Sequence, residues 1–237
     1  MYFYVCDIET TGLQCGHNEI TEVSVLDCQS MEQVTWMIKI KYPERFSKQA
    51  LYITKKTNEE LMSRGRYIED VLDEINDFIL KDDIEIDDIC IIGHNVVNFD
   101  RKFLEYYFSL HGKSFPARYY LDTLVVAKRY TKTVLGLQKT SHALNELMVT
   151  ANVRAVETEN LHSSSVDVRN NYRLWKKMVA GGMNNSEFIK MSPAYLAEVA
   201  TPAPLKKKGK KSKAEEFSLE DIMEEQTDQP FEEDDDD

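Results

Sequence analysis

No apolar run in the 237 residues approaches the roughly 18 that a membrane-spanning helix needs, so no membrane association is expected. Only six residues precede Asp7, too few for the charged and apolar regions of a secretory leader, and export is not expected. The four cysteines, Cys6, Cys15, Cys28 and Cys90, form no C-x-x-C pair and show no metal-ligand spacing. That pattern argues for reduced thiols in a cytoplasm and against a zinc or disulfide framework. Positive charge is also scarce: 29 Lys and Arg face 41 Asp and Glu, a formal −12. The deficit argues at first against a polyanionic partner, but it is uneven. From Thr201 onward there are 6 Lys and 13 acids, a net of −7, which leaves −5 for the first 200 residues. Carboxylates that hold divalent cations would offset part of that remainder, so nucleic acid stays open as a substrate.

A hydrophobic fraction of 42% is enough for a core. Aromatic and β-branched residues over 2–8 read as a strand, and Ile20, Val23 and Val25 around Glu22 as a second. Alternating Val34, Trp36, Ile38 and Ile40 read as a third, which suggests an antiparallel start. The period then changes, and Ile68, Val71, Leu72, Ile75, Phe78 and Ile79 fall at helical spacing. Residues 88–93 end in a short apolar run and Gly93, which suits a strand buried on both faces. Helices are expected at about 99–110, 123–130, 141–148 and 164–179, with a short strand at 119–121. The series implies an α/β protein: a mixed sheet with helices on both faces. The folded unit is expected to end between 180 and 200 and is divided at 185, leaving 186–237 as a disordered charged tail, basic and then acidic.

The first strand finishes in Asp7-Ile8-Glu9-Thr10-Thr11-Gly12. Side chains alternate faces along a strand, so Asp7 and Glu9 point the same way. Two like charges that close resist ionising together unless a cation or proton lies between them, and a divalent metal is the natural candidate. Two other places put polar groups where a core pattern would not. In GHNVVNFDRKFL, Asp100 enters a helix near its start, beyond the carboxyl end of strand 88–93, where ligands of open α/β sheets tend to lie. In LHSSSVDV, His162 and Asp167 are five apart, about 140° around one helix, so they converge only if His162 sits in the loop before it. Ser163, Ser164 and Ser165 favour a helix start there, with capping-box spacing from Ser164 to Asp167.

Taken together, D-x-E-T-T-G, H-N…F-D after a buried strand, and H-x-x-x-x-D opening a late helix resemble the DEDD superfamily of exonucleases over about residues 1–180. The histidine makes the chain similar to the subgroup of proofreading polymerase subunits, ribonuclease T and oligoribonuclease. The resemblance implies a ribonuclease-H-like fold and 3′→5′ hydrolysis of nucleic acid with release of nucleoside monophosphates. It implies metal ligation by Asp7, Glu9, Asp100 and Asp167, and a general base in His162. Asp122, in LDT, matches a recurrent position. Three residues separate H-N from F-D where many members have two, which leaves open whether Asn95 or Asn98 makes the motif's substrate contact.

The chemistry suits these groups. Two magnesium or manganese ions would activate water and neutralise the leaving oxygen, and hard cations prefer carboxylates. A histidine with an ordinary pKa near 6.5 is suited to take the proton. Thr10, Thr11 and Gly12 would let the backbone approach the terminal nucleotide, with Leu13 and Phe99 packing against bases. The expected substrate is a DNA 3′ end, single-stranded DNA ahead of RNA, in a bacterial or phage-infected cell. An exoribonuclease and a non-catalytic nucleic-acid-binding or replisome-tethering module are the alternatives. In the tail, Gln226-Thr-Asp-Gln-Pro-Phe231 weakly resembles peptides that dock polymerase subunits on sliding clamps, and a solubilising acidic tail is the plainer reading.

Overall fold

The computed structural model describes residues 1–81, 84–156 and 163–193. Six strands form one sheet in the order β3-β2-β1-β4-β5-β6. They are β1 (Tyr2–Thr10), β2 (Ile20–Asp27), β3 (Gln33–Met37), β4 (Ile89–Gly93), β5 (Tyr119–Asp122) and β6 (Ile189–Met191). The first three are antiparallel neighbours, β1, β4 and β5 run parallel, and β6 closes the far edge antiparallel to β5. This is the mixed α/β sheet expected from the hydrophobic periods, and the ribonuclease-H-like fold that the family resemblance implied.

Among the described residues there are seven α-helices: α1 (Lys48–Thr54), α2 (Asn58–Arg64), α3 (Ile68–Ile79), α4 (Asp100–Leu110), α5 (Thr123–Thr133), α6 (Leu144–Thr150) and α7 (Ser164–Ala180). Alternation along the strands divides the core in two. Tyr4, Cys6, Ile8, Ile89 and Ile91 pack with α3 and α4, while Val5, Cys90, Ile92 and Leu121 pack with α5, α6 and α7. Asp7 and Glu9 continue the Val5 series and so lie on the side that α7 covers.

Several boundaries differ from the periodic reading. Strand β3 ends at Met37; Ile38 is buried, keeps one backbone hydrogen bond to Thr21 O of β2 (2.9 Å) and bridges Arg66. Helix α6 starts at Leu144 rather than near 141, because the His142 carbonyl is turned to accept a hydrogen bond from His94 Nε2 (2.7 Å). Helices α1 and α2 and strand β6 have no counterpart in that reading. Strand β6 also carries the sheet beyond residue 185, where the domain was expected to end. No described helix is long and apolar enough to cross a membrane. Expectations for the tail from 194 onward and for His162 fall on residues outside those described.

Candidate active site

The site forms where β1 ends. Asp7, Glu9 and Asp167, each partly buried, offer carboxylate oxygens that all lie within 4.8 Å of one another. Asp7 and Glu9 come from alternate positions of β1, and Asp167 from the first turn of α7. Asp100, the first residue of α4 and 3% exposed, reaches the strand through its Oδ1, which accepts from the backbone N–H of Ile8 (3.1 Å). That N–H lies between the two acids of the opening dyad, so Asp100 is fixed to the same stretch of β1.

Burial raises the pKa of every member, and neighbouring carboxylates add to it. Asp7 is pushed well above the carboxylate range by desolvation, then by Asp100, Asp167, Glu9 and Glu22. Glu9 rises to about 8, through desolvation first and then Asp167 and Glu22, with Lys56 pulling the other way. Asp100 rises to about 7, because desolvation outweighs its backbone hydrogen bonds. Asp167 rises to about 6 through desolvation and the charge of Glu22. The Oδ1 of Asp167 is buried and has no hydrogen-bond partner. A buried carboxylate oxygen without a donor is costly, and an approaching cation would relieve it.

The remaining expected residues divide. Thr10 Oγ1 donates to Gly12 O (2.6 Å), which tightens the turn. Leu13 is 76% exposed beside it. Phe99 caps α4 and packs on Phe103 with centroids 5.2 Å apart. The extra residue between the two halves of the second motif is absorbed in a turn over 95–99. There Asn95 takes a left-handed φ of 64° and its carbonyl accepts from Asn98 N (3.2 Å) and Phe99 N (3.1 Å). Asn98 Nδ2 donates to Asn95 Oδ1 (3.2 Å), so the two candidates for the motif's contact are joined. Asp122 supports this turn by accepting from Asn95 N (3.0 Å) and Val97 N (3.4 Å) while it caps α5 through Leu124 N (3.0 Å). His94 is bound within the protein at both ring nitrogens, to Thr123 Oγ1 (3.1 Å) and His142 O (2.7 Å), and burial lowers its pKa. Arg101 pairs with Glu105 and Arg129 with Glu187.

Two residues of the pocket were not foreseen. Glu22 is buried on β2, and Lys56 reaches it from the loop between α1 and α2. An acid within the apolar run ITEVSVL was a legible signal; Lys56, in a segment with many lysines, gave none. The start of α7 also departs from the expected capping. Its N-cap is Ser163, with no side-chain cap bond, and the N–H of Ser164 donates to Glu22 Oε1 (3.0 Å) from a strand 142 positions away.

Residues 4–175 match the family model for exonucleases of the RNase_T type. The chain belongs to the Exonuclease family. That membership places it among the 3′→5′ exonucleases of the DEDD superfamily, a family of phosphodiester hydrolases. The DNA polymerase III PolC-type of Thermotoga maritima is 33% identical over 164 residues, covering 64% of this chain and 11% of that protein. The Thermotoga petrophila counterpart is 32% identical over the same length. The chain thus spans about a tenth of the polymerases that it matches. Among solved structures, the E. coli ExoI–ssDNA complex superposes with a TM-score of 0.63 at 18% identity, over 77% of this chain and 41% of that one. Exonuclease X in complex with 5′ overhanging duplex DNA superposes with a TM-score of 0.57 at 20% identity, over 78% and 96%. Both are likenesses of fold.

Proposed function

We propose that this exonuclease removes nucleotides from DNA 3′ ends and releases nucleoside 5′-monophosphates, with Asp7, Glu9, Asp100 and Asp167 holding two magnesium or manganese ions. The observation that carries this reading is the buried, unpartnered Oδ1 of Asp167 inside a group of carboxylates less than 4.8 Å apart. Acids so close and so poorly solvated call for cations among them. All four acids offer oxygen alone, a hard donor set that suits magnesium or manganese. Bound ions would lower the pKa of the attacking water and neutralise the leaving 3′ oxygen.

In the role implied by the family motif, an imidazole nitrogen of His162 takes the proton of that water. Leu13, exposed beside Gly12, offers an apolar wedge to the terminal base, and Phe99 a stacking surface. Thr10 and Gly12 bring the backbone to the nucleotide, and Asn95 contributes the polar contact. DNA is favoured by the polymerase III relatives and by the nucleic acid in the neighbouring complexes. A proofreading place in replication, in the cytoplasm of a bacterial or phage-infected cell, accords with those relatives. The charged residues after the sheet are proposed as a tail that docks on a replisome or clamp partner, which a pull-down with and without residues 201–237 would test.

The deciding assay uses full-length protein on matched 5′-labelled DNA and RNA single strands with Mg2+. Stepwise shortening of DNA from the 3′ end, abolished by chelator and by Asp7→Asn, is expected. Faster shortening of RNA would reassign the substrate. Intact DNA ends, bound equally by the parent and Asp7→Ala, would make the chain a non-catalytic binding module.

A further inference from the structure

Glu22 sits on β2 directly opposite Glu9 of β1 and is 5% exposed. Like charges opposed across a ladder destabilise a sheet unless something offsets them. Two groups do so here. Lys56 places Nζ 2.6 Å from Glu22 Oε2, with only 11% of its side chain exposed. At the other oxygen, Oε1 accepts from Ser164 N (3.0 Å), Ser164 Oγ (2.6 Å) and Ser163 Oγ (3.4 Å) at the start of α7. A carboxylate at a helix N-terminus meets free N–H groups and the positive end of the dipole.

The geometry has two consequences. Glu22 ties β2, the partner of the strand that carries Glu9, to the helix that carries Asp167, three residues beyond Ser164. Lys56 adds a fixed positive charge to a pocket of acids, close enough to Glu9 to oppose the effect of its neighbours. Its approach is held by Lys55, which closes α1 in a left-handed conformation with φ 55°. That conformation is uncommon for lysine and persists where the surroundings over-determine it.

We propose that Glu22 and Lys56 form a positioning pair that sets both the placement of Asp167 opposite Glu9 and the net charge of the pocket, and so its affinity for a divalent ion. The proposal rests on the metal-binding reading of the site. A bridge that only stabilised the fold would make both single substitutions weaken ion binding, or change neither. Charge-setting gives opposite signs: loss of the cation makes the pocket more negative, whereas loss of the anion releases Lys56 to compete at Glu9.

The test is calorimetric titration of Mn2+ alone into the full-length protein. Lys56→Met is expected to tighten binding about tenfold and Glu22→Gln, which keeps an oxygen for Ser164, to weaken it about tenfold. The double variant, whose pocket carries the same net charge as the parent's, should return to within about threefold of the parent. Should Lys56→Met fail to fold, Lys56→Gln makes the same comparison. Shifts of equal sign, or single variants within about twofold of the parent, overturn the pair's role. A parent chain that takes up no Mn2+ overturns the metal reading and this proposal with it.

Discussion

A single methyl group would disturb the turn at Gly12. A Cβ there would lie 2.7 Å from Asn18 Nδ2, and Asn18 has little room to yield. Its Oδ1 accepts from Gln14 N (3.0 Å), and its Nδ2 donates to Arg45 O (3.1 Å) and Thr11 Oγ1 (3.3 Å). The φ of Gly12 is not among the positive ones, so space rather than handedness selects glycine. Gly12→Ala is expected to destabilise the protein by about 1–3 kcal/mol, as overpacking does, measured as a lowered urea midpoint. An unchanged midpoint would show that the Asn18 network gives way freely. The D-x-E-T-T-G pattern marked this glycine for approach to substrate; its contact with Asn18 was not legible, because the partner is chosen by how the loop returns to β2.

At the scale of elements, one side chain joins β5, α5 and the turn that delivers Asp100. Asp122 caps α5 and receives the N–H groups of Asn95 and Val97. Asp122→Ala removes a helix cap and leaves part-buried donors unpaired, a loss of about 2 kcal/mol in stability. Asp122→Asn keeps the oxygen that serves Asn95 and Leu124 and should lose less than half as much. Equal losses from the two variants, read from thermal unfolding, would mean that charge and not acceptor geometry holds the turn. The missed elements have physical reasons at this scale too. Helix α2 does carry a local sign, since Thr57 Oγ1 accepts from Glu60 N (3.1 Å) in capping-box spacing, but only Leu61 is buried along its seven residues, so no apolar period announces it. Strand β6 has three residues and exists because the edge of β5 accepts it.

Across the whole molecule, the clustered acids govern how stability varies with pH. Glu9, Asp100 and Asp167 are raised to about 8, 7 and 6, against about 4 in an unfolded chain. Between those limits the folded state holds protons that the unfolded state has released, so metal-free stability is greatest at the acidic end and falls as pH rises through 6 to 8. The metal-free melting temperature is expected to be at least about 4 °C lower at pH 8 than at pH 5.5, and saturating Mg2+ should remove most of that difference by taking the place of the protons. A flat melting profile without metal would show that the acids are better solvated than their burial indicates. Asp27 acts in the opposite direction: Lys81 and the Gln29 and Ser30 donors lower its pKa, so its contribution is lost only below about pH 4.

The sequence by itself determined the layered fold and the acids at its centre. Strand and helix periods are local, and they located β1, β4, α3 and α7 before any contact was known. The motifs likewise named Asp7, Glu9, Asp100 and Asp167, because each sits at a fixed offset from the end of its own element. Only the tertiary structure decided what surrounds them. Glu22 meets Glu9 through the register of two antiparallel strands, caps α7 across 142 positions, and takes its counter-charge from a loop 34 positions onward. Such pairings depend on where separate elements come to rest against one another, and no short window of residues carries that information.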